Sequence, residues 1–288
     1  MGRWLLRLLV FALAAALTVL VIVPVGVDQY RRYEDARIID QYQKGLERAG
    51  EEALSRLLVQ CRSYNRRHPN VLLKDVFSQV AEDARQAPLL EEIQANGAGG
   101  VLGVLEIPKI GVMLPIYPSS DGHAIRNGAA FVEGTSLPAG GESAHTVLAA
   151  NRDWLMDRQF RRLDRLRLGD LFAVSVLGES TTYEVDSIQI VDPDAMDAPL
   201  SMDGAYCTLM ARGPEWNGSQ RLLVRGKYTK DRLTAANDDT GYLPELSVVL
   251  MLGAPVAALL LIWLLLTWLI ARGYEMWRLW RVGRRRRF

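Results

Sequence analysis

Two long apolar runs bracket the chain. Residues 246–271 carry no charged side chain and are dominated by Leu, Ile, Val, Ala and Trp. At about 1.5 Å rise per residue, such a run crosses a hydrocarbon core of roughly 30 Å, which predicts a C-terminal transmembrane helix. A second run, 8–27, follows Arg3 and Arg7 and is interrupted only by Thr18, Pro24 and Gly26. It is longer than the ~7–15 apolar residues of a signal peptide and lacks a clear A-x-A site, so an uncleaved anchor is expected over 1–27.

Between the runs the periodicity changes twice. Residues 30–67 contain no Pro and place Ile38, Tyr42, Leu46, Ala49, Ala53 and Leu57 near one face, which predicts a helix ended by His68-Pro69-Asn70. Residues 71–87 show no clear period, and 94–100 read as a Gly-rich joint. From 101 onward, short β-branched runs alternate with Gly, Pro and Asp turns. Strands are expected over 101–107, 110–116, 145–150, 171–177, 181–191, 205–211 and 221–228, with a brief helical piece near 158–165. That spacing predicts a mostly β fold built on a closed β-barrel with short helices. The expected layout is an anchor (1–27), a helical segment (28–100), the barrel (101–230), a linker (231–245), a transmembrane helix (246–271) and a basic tail (272–288).

Charge orients this layout. The tail holds Arg272, Arg278, Arg281 and Arg284 to Arg287, and arginine beside a span marks the cytoplasmic side. Trp263, Trp268, Trp277 and Trp280 suit an interfacial belt. Both termini are then cytoplasmic, and residues 28–245 lie outside. The net charge of +1 hides an acidic outer part, which argues against nucleic acid as a partner. The two cysteines, Cys61 and Cys207, leave a disulfide possible without making a disulfide framework. His68, His123 and His145 form no ligand-spaced cluster, so no metal is expected. Gly97, Gly99, Gly100 and Gly103 only superficially suggest a phosphate loop, because no strand precedes them and a strand follows. No cofactor is implied.

Three stretches carry a family likeness. GVLEIPKIGVMLPIYP (103–118), EGTSLPAGGESAHTVLAANR (133–152) and TLMARGPEWNGSQRLLVRG (208–226) together resemble the class C, or pilin-type, sortases. The resemblance implies a sortase-like barrel with a helical N-terminal appendage between two membrane anchors. It also implies a cysteine transpeptidase chemistry that joins pilins or surface proteins through a sorting signal. In that chemistry a Cys attacks a carbonyl, a His exchanges protons and an Arg supports the oxyanion.

Position by position, the set is broken. Arg221 stands at the family's Arg position, but Arg212 stands in place of the Cys and Asn151 in place of the His. Arg stays protonated and cannot act as a nucleophile, and Asn has no titratable group near neutrality. Cys207 with His145 is the tempting substitute pair. A regular strand would turn Cys207 to the face opposite Arg212 at about 17 Å, so both are read as structural.

The resemblance further implies a lid over the cleft, with Asp75 and Phe77 in place of its Asp-Pro-aromatic tip. Asp75, aided by Glu215 or Asp153, is expected to bridge Arg212 and Arg221. The functional expectation is a non-catalytic sortase-like membrane protein that binds a pilin, a sorting signal or an active sortase. The alternatives are a transpeptidase with a rearranged site, or a membrane-tethered barrel unrelated to pili.

Overall fold

The computed structural model describes residues 30–68, 75–77, 87–96, 100–141, 143–152, 159–193, 204–213, 219–231, 233 and 272. The chain divides into two compact units, 28–239 and a second made of 1–27 with 240–288. The spans expected over 8–27 and 246–271 lie outside the described residues. Among the described residues, no helix is long and apolar enough to cross a membrane.

The larger unit is built on a closed barrel in the order β1-β2-β3-β4-β7-β8-β6-β5. Its strands are β1 (Gly103–Ile107), β2 (Val112–Tyr117), β3 (Ala129–Phe131), β4 (His145–Ala149), β5 (Leu171–Val176), β6 (Glu179–Val191), β7 (Tyr206–Arg212) and β8 (Arg221–Tyr228). Pairing is antiparallel except for β2 with β3 and β4 with β7. The adjacent strands β4 and β7 are buried at every position except Arg212. They achieve this by serving two apolar clusters. Leu148, Cys207, Leu209 and Ala211 join the main core, whereas Val147, Ala149 and Met210 join a second cluster on the opposite face. Parallel strands covered on both sides carry such continuous apolar runs.

The single helix expected over 30–67 is two helices. The first, α1, covers 30–49, and α2 covers Glu51–Arg67. Gly50 separates them at φ 81°, a conformation in which a side chain would be strained. Glu51 and Glu52 then occupy the first turn of α2, where acidic groups favour a helix start. The break shifts the buried stripe of α2 to Leu54, Leu57, Leu58, Cys61 and Tyr64. A third helix, α3 (Ala87–Asn96), begins where only an ill-defined segment and a Gly-rich joint were expected, and buries Leu90 and Ile93.

Residues of α2 and α3 belong to the main core cluster itself. Tyr42 on α1 donates its hydroxyl to Leu102 O at 3.0 Å and accepts from Leu177 N at 2.9 Å. Asn65 on α2 mimics a strand edge, donating to Leu137 O at 3.0 Å and accepting from Leu137 N at 2.8 Å.

Two further elements have no counterpart in the expected set. Strand β3 is short and Ala-rich, and α4 (Gly122–Asn127) is a single helical segment of six residues. Asp121 caps α4 by accepting from His123 N and Ala124 N, satisfying donors that a helix start leaves open. Of the helical piece expected near 158–165, the described part contains one 3-10 turn, Leu163–Arg165.

Candidate functional site

The site lies at one end of the outer face of β4, β7 and β8. Parity along the strands assigns the side chains. Met210 belongs to the outer cluster, so Thr208 and Arg212 share its face while Cys207, Leu209 and Ala211 point into the barrel. Arg212 is the register partner of Arg221, the first residue of β8. Ala149 pairs with Met210 at the end of the β4–β7 register, Ala150 N donates to Met210 O at 3.1 Å, and Asn151 follows directly after. The ends of β7 and β8 thus bring 212 and 221 together.

Two arginines directly across a pair of strands repel each other. A segment that is distant in sequence compensates them. Asp75 accepts from Arg221 Nε at 2.7 Å and from Nη2 at 2.9 Å, a bidentate pair in which the side chains are only 7% and 9% exposed. Arg221 Nη1 donates to the carbonyls of Ser219 and Gln220, so nearly the whole guanidinium is engaged. Phe77 presents its ring to both arginines, 5.4 Å from Arg212 Cζ and 5.2 Å from Arg221 Cζ. These distances fall within cation–π range. Phe77 N also donates to Asp75 Oδ1 at 3.2 Å, which closes the turn on itself.

Between these two residues, Val76 is buried in the outer cluster with Ala124, Ile125, Ala130, Val132, Val147, Ala149 and Met210. Sequence reasoning missed Val76. A lone aliphatic residue between an acid and an aromatic carries no periodic signal, and only its neighbours drew attention.

The bridge differs in part from the expectation. Asp75 forms its ion pair with Arg221, whereas Arg212 joins the group through the Phe77 ring and is exposed. Glu215 and Asp153, the expected helpers, lie outside the described residues. Asn151 is tied to its surroundings by backbone. Its N donates to Ile125 O at 3.0 Å, and its carbonyl accepts from Phe160 N at 3.1 Å. Its side-chain oxygen accepts from Arg152 N at 3.0 Å.

The substitute thiol and imidazole are not brought together. Cys207 is fully buried inside the barrel, and burial pushes its thiol up. His145 stands on the outer face at the far end of β4, where its Nε2 lies 2.8 Å from Thr208 Oγ1. Cys61 is buried in α2, and burial, aided by Glu92, pushes its thiol up to about 12. Both thiols are free, so the disulfide left open by the sequence is not formed. Among the described residues, no group of His, Cys, Asp and Glu could hold a metal.

Comparison with known proteins agrees on one family. The Sortase domain profile matches residues 105–229. Sortase D of Bacillus subtilis (strain 168) is 33% identical over 96 residues, covering 33% of this chain and 46% of that protein. The chain therefore spans about half the length of the curated relative it matches. The Streptococcus agalactiae Sortase C1 structure superposes with a TM-score of 0.60 at 30% identity, covering 69% of this chain and 97% of that one. The Streptococcus pneumoniae Sortase C structure gives a TM-score of 0.60 at 29% identity, covering 68% and 97%.

Proposed function

The chain belongs to the sortase family, and from that premise we propose that it is a non-catalytic member that binds a peptide segment of a surface protein. The observation that carries this reading is the end of β7. The strand delivers an exposed guanidinium, Arg212, beside Arg221, and both of the chain's thiols are buried elsewhere. A protonated guanidinium has no lone pair with which to attack a carbonyl. What remains is recognition: two cations, an apolar floor and a segment, 75–77, seated on both as a lid.

The ligand class follows from the relatives. The Streptococcus pneumoniae structure concerns pilin substrate specificity. A pilin or another surface-protein sorting signal is therefore the proposed partner here, with an active sortase as a second one. The proposed setting is a cell membrane crossed twice, through 1–27 and 246–271, with both termini cytoplasmic and the barrel outside. A transpeptidase using Cys207 and His145 is the rival, and the opposite facing of the two side chains speaks against it.

The test is a thiol-trapping assay with a sorting-signal peptide on the purified full chain. No covalent adduct is expected, and a thioester through Cys207 would overturn the reading. A second arm restores Cys at Arg212→Cys together with Asn151→His. Rapid labelling of the new thiol, with Cys61 and Cys207 unlabelled until the chain is denatured, is the expected pattern.

A further inference from the structure

Strand β6 outruns its neighbour on one side. Strand β5 pairs with it only as far as Glu184, and beyond that Val185 N donates to Asp170 O and Gly169 N to Val185 O. Strand β8 follows it to Val191. Among the described residues, no strand pairs with the other side of 187–191. The direction of the free groups follows from β8. Gly213 N donates to Gln220 O and Tyr228 N to Ala205 O, so even-numbered residues of β8 bond to β7 and odd-numbered ones to β6. Arg225, Leu223 and Arg221 are the partners of Ser187, Gln189 and Val191, a parity set by the bulge between Val185 and Ser187. Ile188 and Ile190 therefore turn their N–H and C=O groups to the open edge. Their side chains share a face with Val224 and Leu222, yet they are 38% and 50% exposed.

Such an edge is a template for another strand, and its chemistry selects which. No charged residue lies between Asp186 and Asp192. Asp186 is gripped by Arg225, and Asp192 accepts from Gln220. A charged strand finds nothing to pair with here. An uncharged one with aliphatic side chains at alternate positions fits, and the edge itself, SIQIV (187–191), has that pattern.

We infer that β6 pairs with β6 of a second copy of this chain, antiparallel across a two-fold axis at Gln189. Ile188 then exchanges both backbone hydrogen bonds with Ile190 of the partner subunit, and Ile190 with Ile188 of the partner subunit. The two Gln189 side chains meet on the other face, where their amides can bond each other. Like charges meet only beyond the paired stretch, Asp186 against Asp192, and each is already engaged within its own barrel. So short an edge is smaller than a standard interface, so the dimer forms and separates readily and is read by covalent trapping.

The experiment is mild oxidation of the purified full chain, followed on a non-reducing gel; both native thiols are buried. Gln189→Cys puts two thiols on the axis at a non-hydrogen-bonded pair, with Cα atoms about 4.5 Å apart. That lies within disulfide reach, so a linked dimer is expected. Ser187→Cys faces Val191 across the axis and lies about 14 Å from its own counterpart, so it should stay monomeric. Adding Ile190→Lys to Gln189→Cys should abolish the link, because a charge on an edge blocks pairing. If that variant does not fold, Ile188→Pro takes its place, since it removes an edge-facing N–H that the barrel does not use. A Gln189→Cys chain that stays monomeric, a Ser187→Cys chain that links as fast, or a link that survives the edge substitution each overturns the inference.

Discussion

Strand β8 carries two arginines on one face, four residues apart, and they are built alike. Arg221 grips Asp75 bidentately under the Phe77 ring, and Arg225 grips Asp186 bidentately over the Tyr206 ring at 4.7 Å. The chemistry is the same, but the settings differ. The inner pair is 7% and 9% exposed and ties residue 75 to the barrel, whereas the outer pair is 34% and 27% exposed and joins two neighbouring strands. Water decides what each is worth. An exposed pair contributes little because solvent screens both the pair and its loss. A buried pair contributes little when compared with an apolar replacement, yet breaking it is costly because one charge stays behind unpaired.

The largest effect should therefore come from breaking the inner pair. Asp75→Ala removes the buried carboxylate that Arg221 grips and is expected to cost about 3–5 kcal/mol in urea denaturation. Pairing it with Arg221→Met should recover most of that loss, because no charge is then left behind. An equal cost for Asp75→Ala and Asp186→Ala would break the comparison.

The outer pair comes next. A double-mutant cycle on Asp186 and Arg225 should give about 0.2–1 kcal/mol at low salt. In 1 M salt, where the screening length falls to about 3 Å, that coupling should disappear while the inner coupling persists. Retention of the outer coupling at high salt would mean that Tyr206 shields the pair more than its exposure suggests.

A third aspartate shows burial winning over nearby charge. Burial pushes Asp35 on α1 up to about 7, aided by Glu34 and opposed by Arg31 and Arg32. A carboxyl whose folded value lies above its unfolded value of about 3.9 stabilises the fold fully below that lower value. This contribution is lost as pH rises through about 7. Stability should accordingly fall between those limits, and Asp35→Asn should flatten that part of the profile. An unchanged slope in thermal melts at several pH values would remove Asp35 as its source.

The strands that frame this comparison were readable because their side chains alternate. Strand β8 places Leu222 and Val224 inward with Arg221 and Arg225 outward, and its extent coincides with the expected 221–228. Arg212 and Arg221 were visible through the motif resemblance, but their direct pairing depends on register, which a motif does not contain. The break at Gly50 was hidden because a lone glycine within a helical pattern is tolerable in principle. Strand β3, Ala-Ala-Phe, and helix α4, Gly-His-Ala-Ile-Arg-Asn, are too short to show any period. Tertiary contact selects them: α4 and β3 supply Ala124, Ile125 and Ala130, which wall the seat of Val76.

The smallest effect separates the two influences acting on Arg212. Its guanidinium gains from the Phe77 ring, about 0.5–1 kcal/mol at an exposed site, and loses from Arg221 directly across the strands, by about 0.2–1 kcal/mol. These ranges overlap, so the state of Arg221 decides the sign. With Asp75 in place, the Arg221 charge is largely neutralised and the ring contact should dominate, so Arg212→Gln is expected to destabilise by about 0.5 kcal/mol. In an Asp75→Asn background the repulsion returns and the ring contact stays, so the same substitution should become neutral or stabilising. Urea denaturation of the four proteins measures this reversal. If Arg212→Gln has the same effect in both backgrounds, Arg212 does not sense the inner pair, and the two arginines of the cleft act independently.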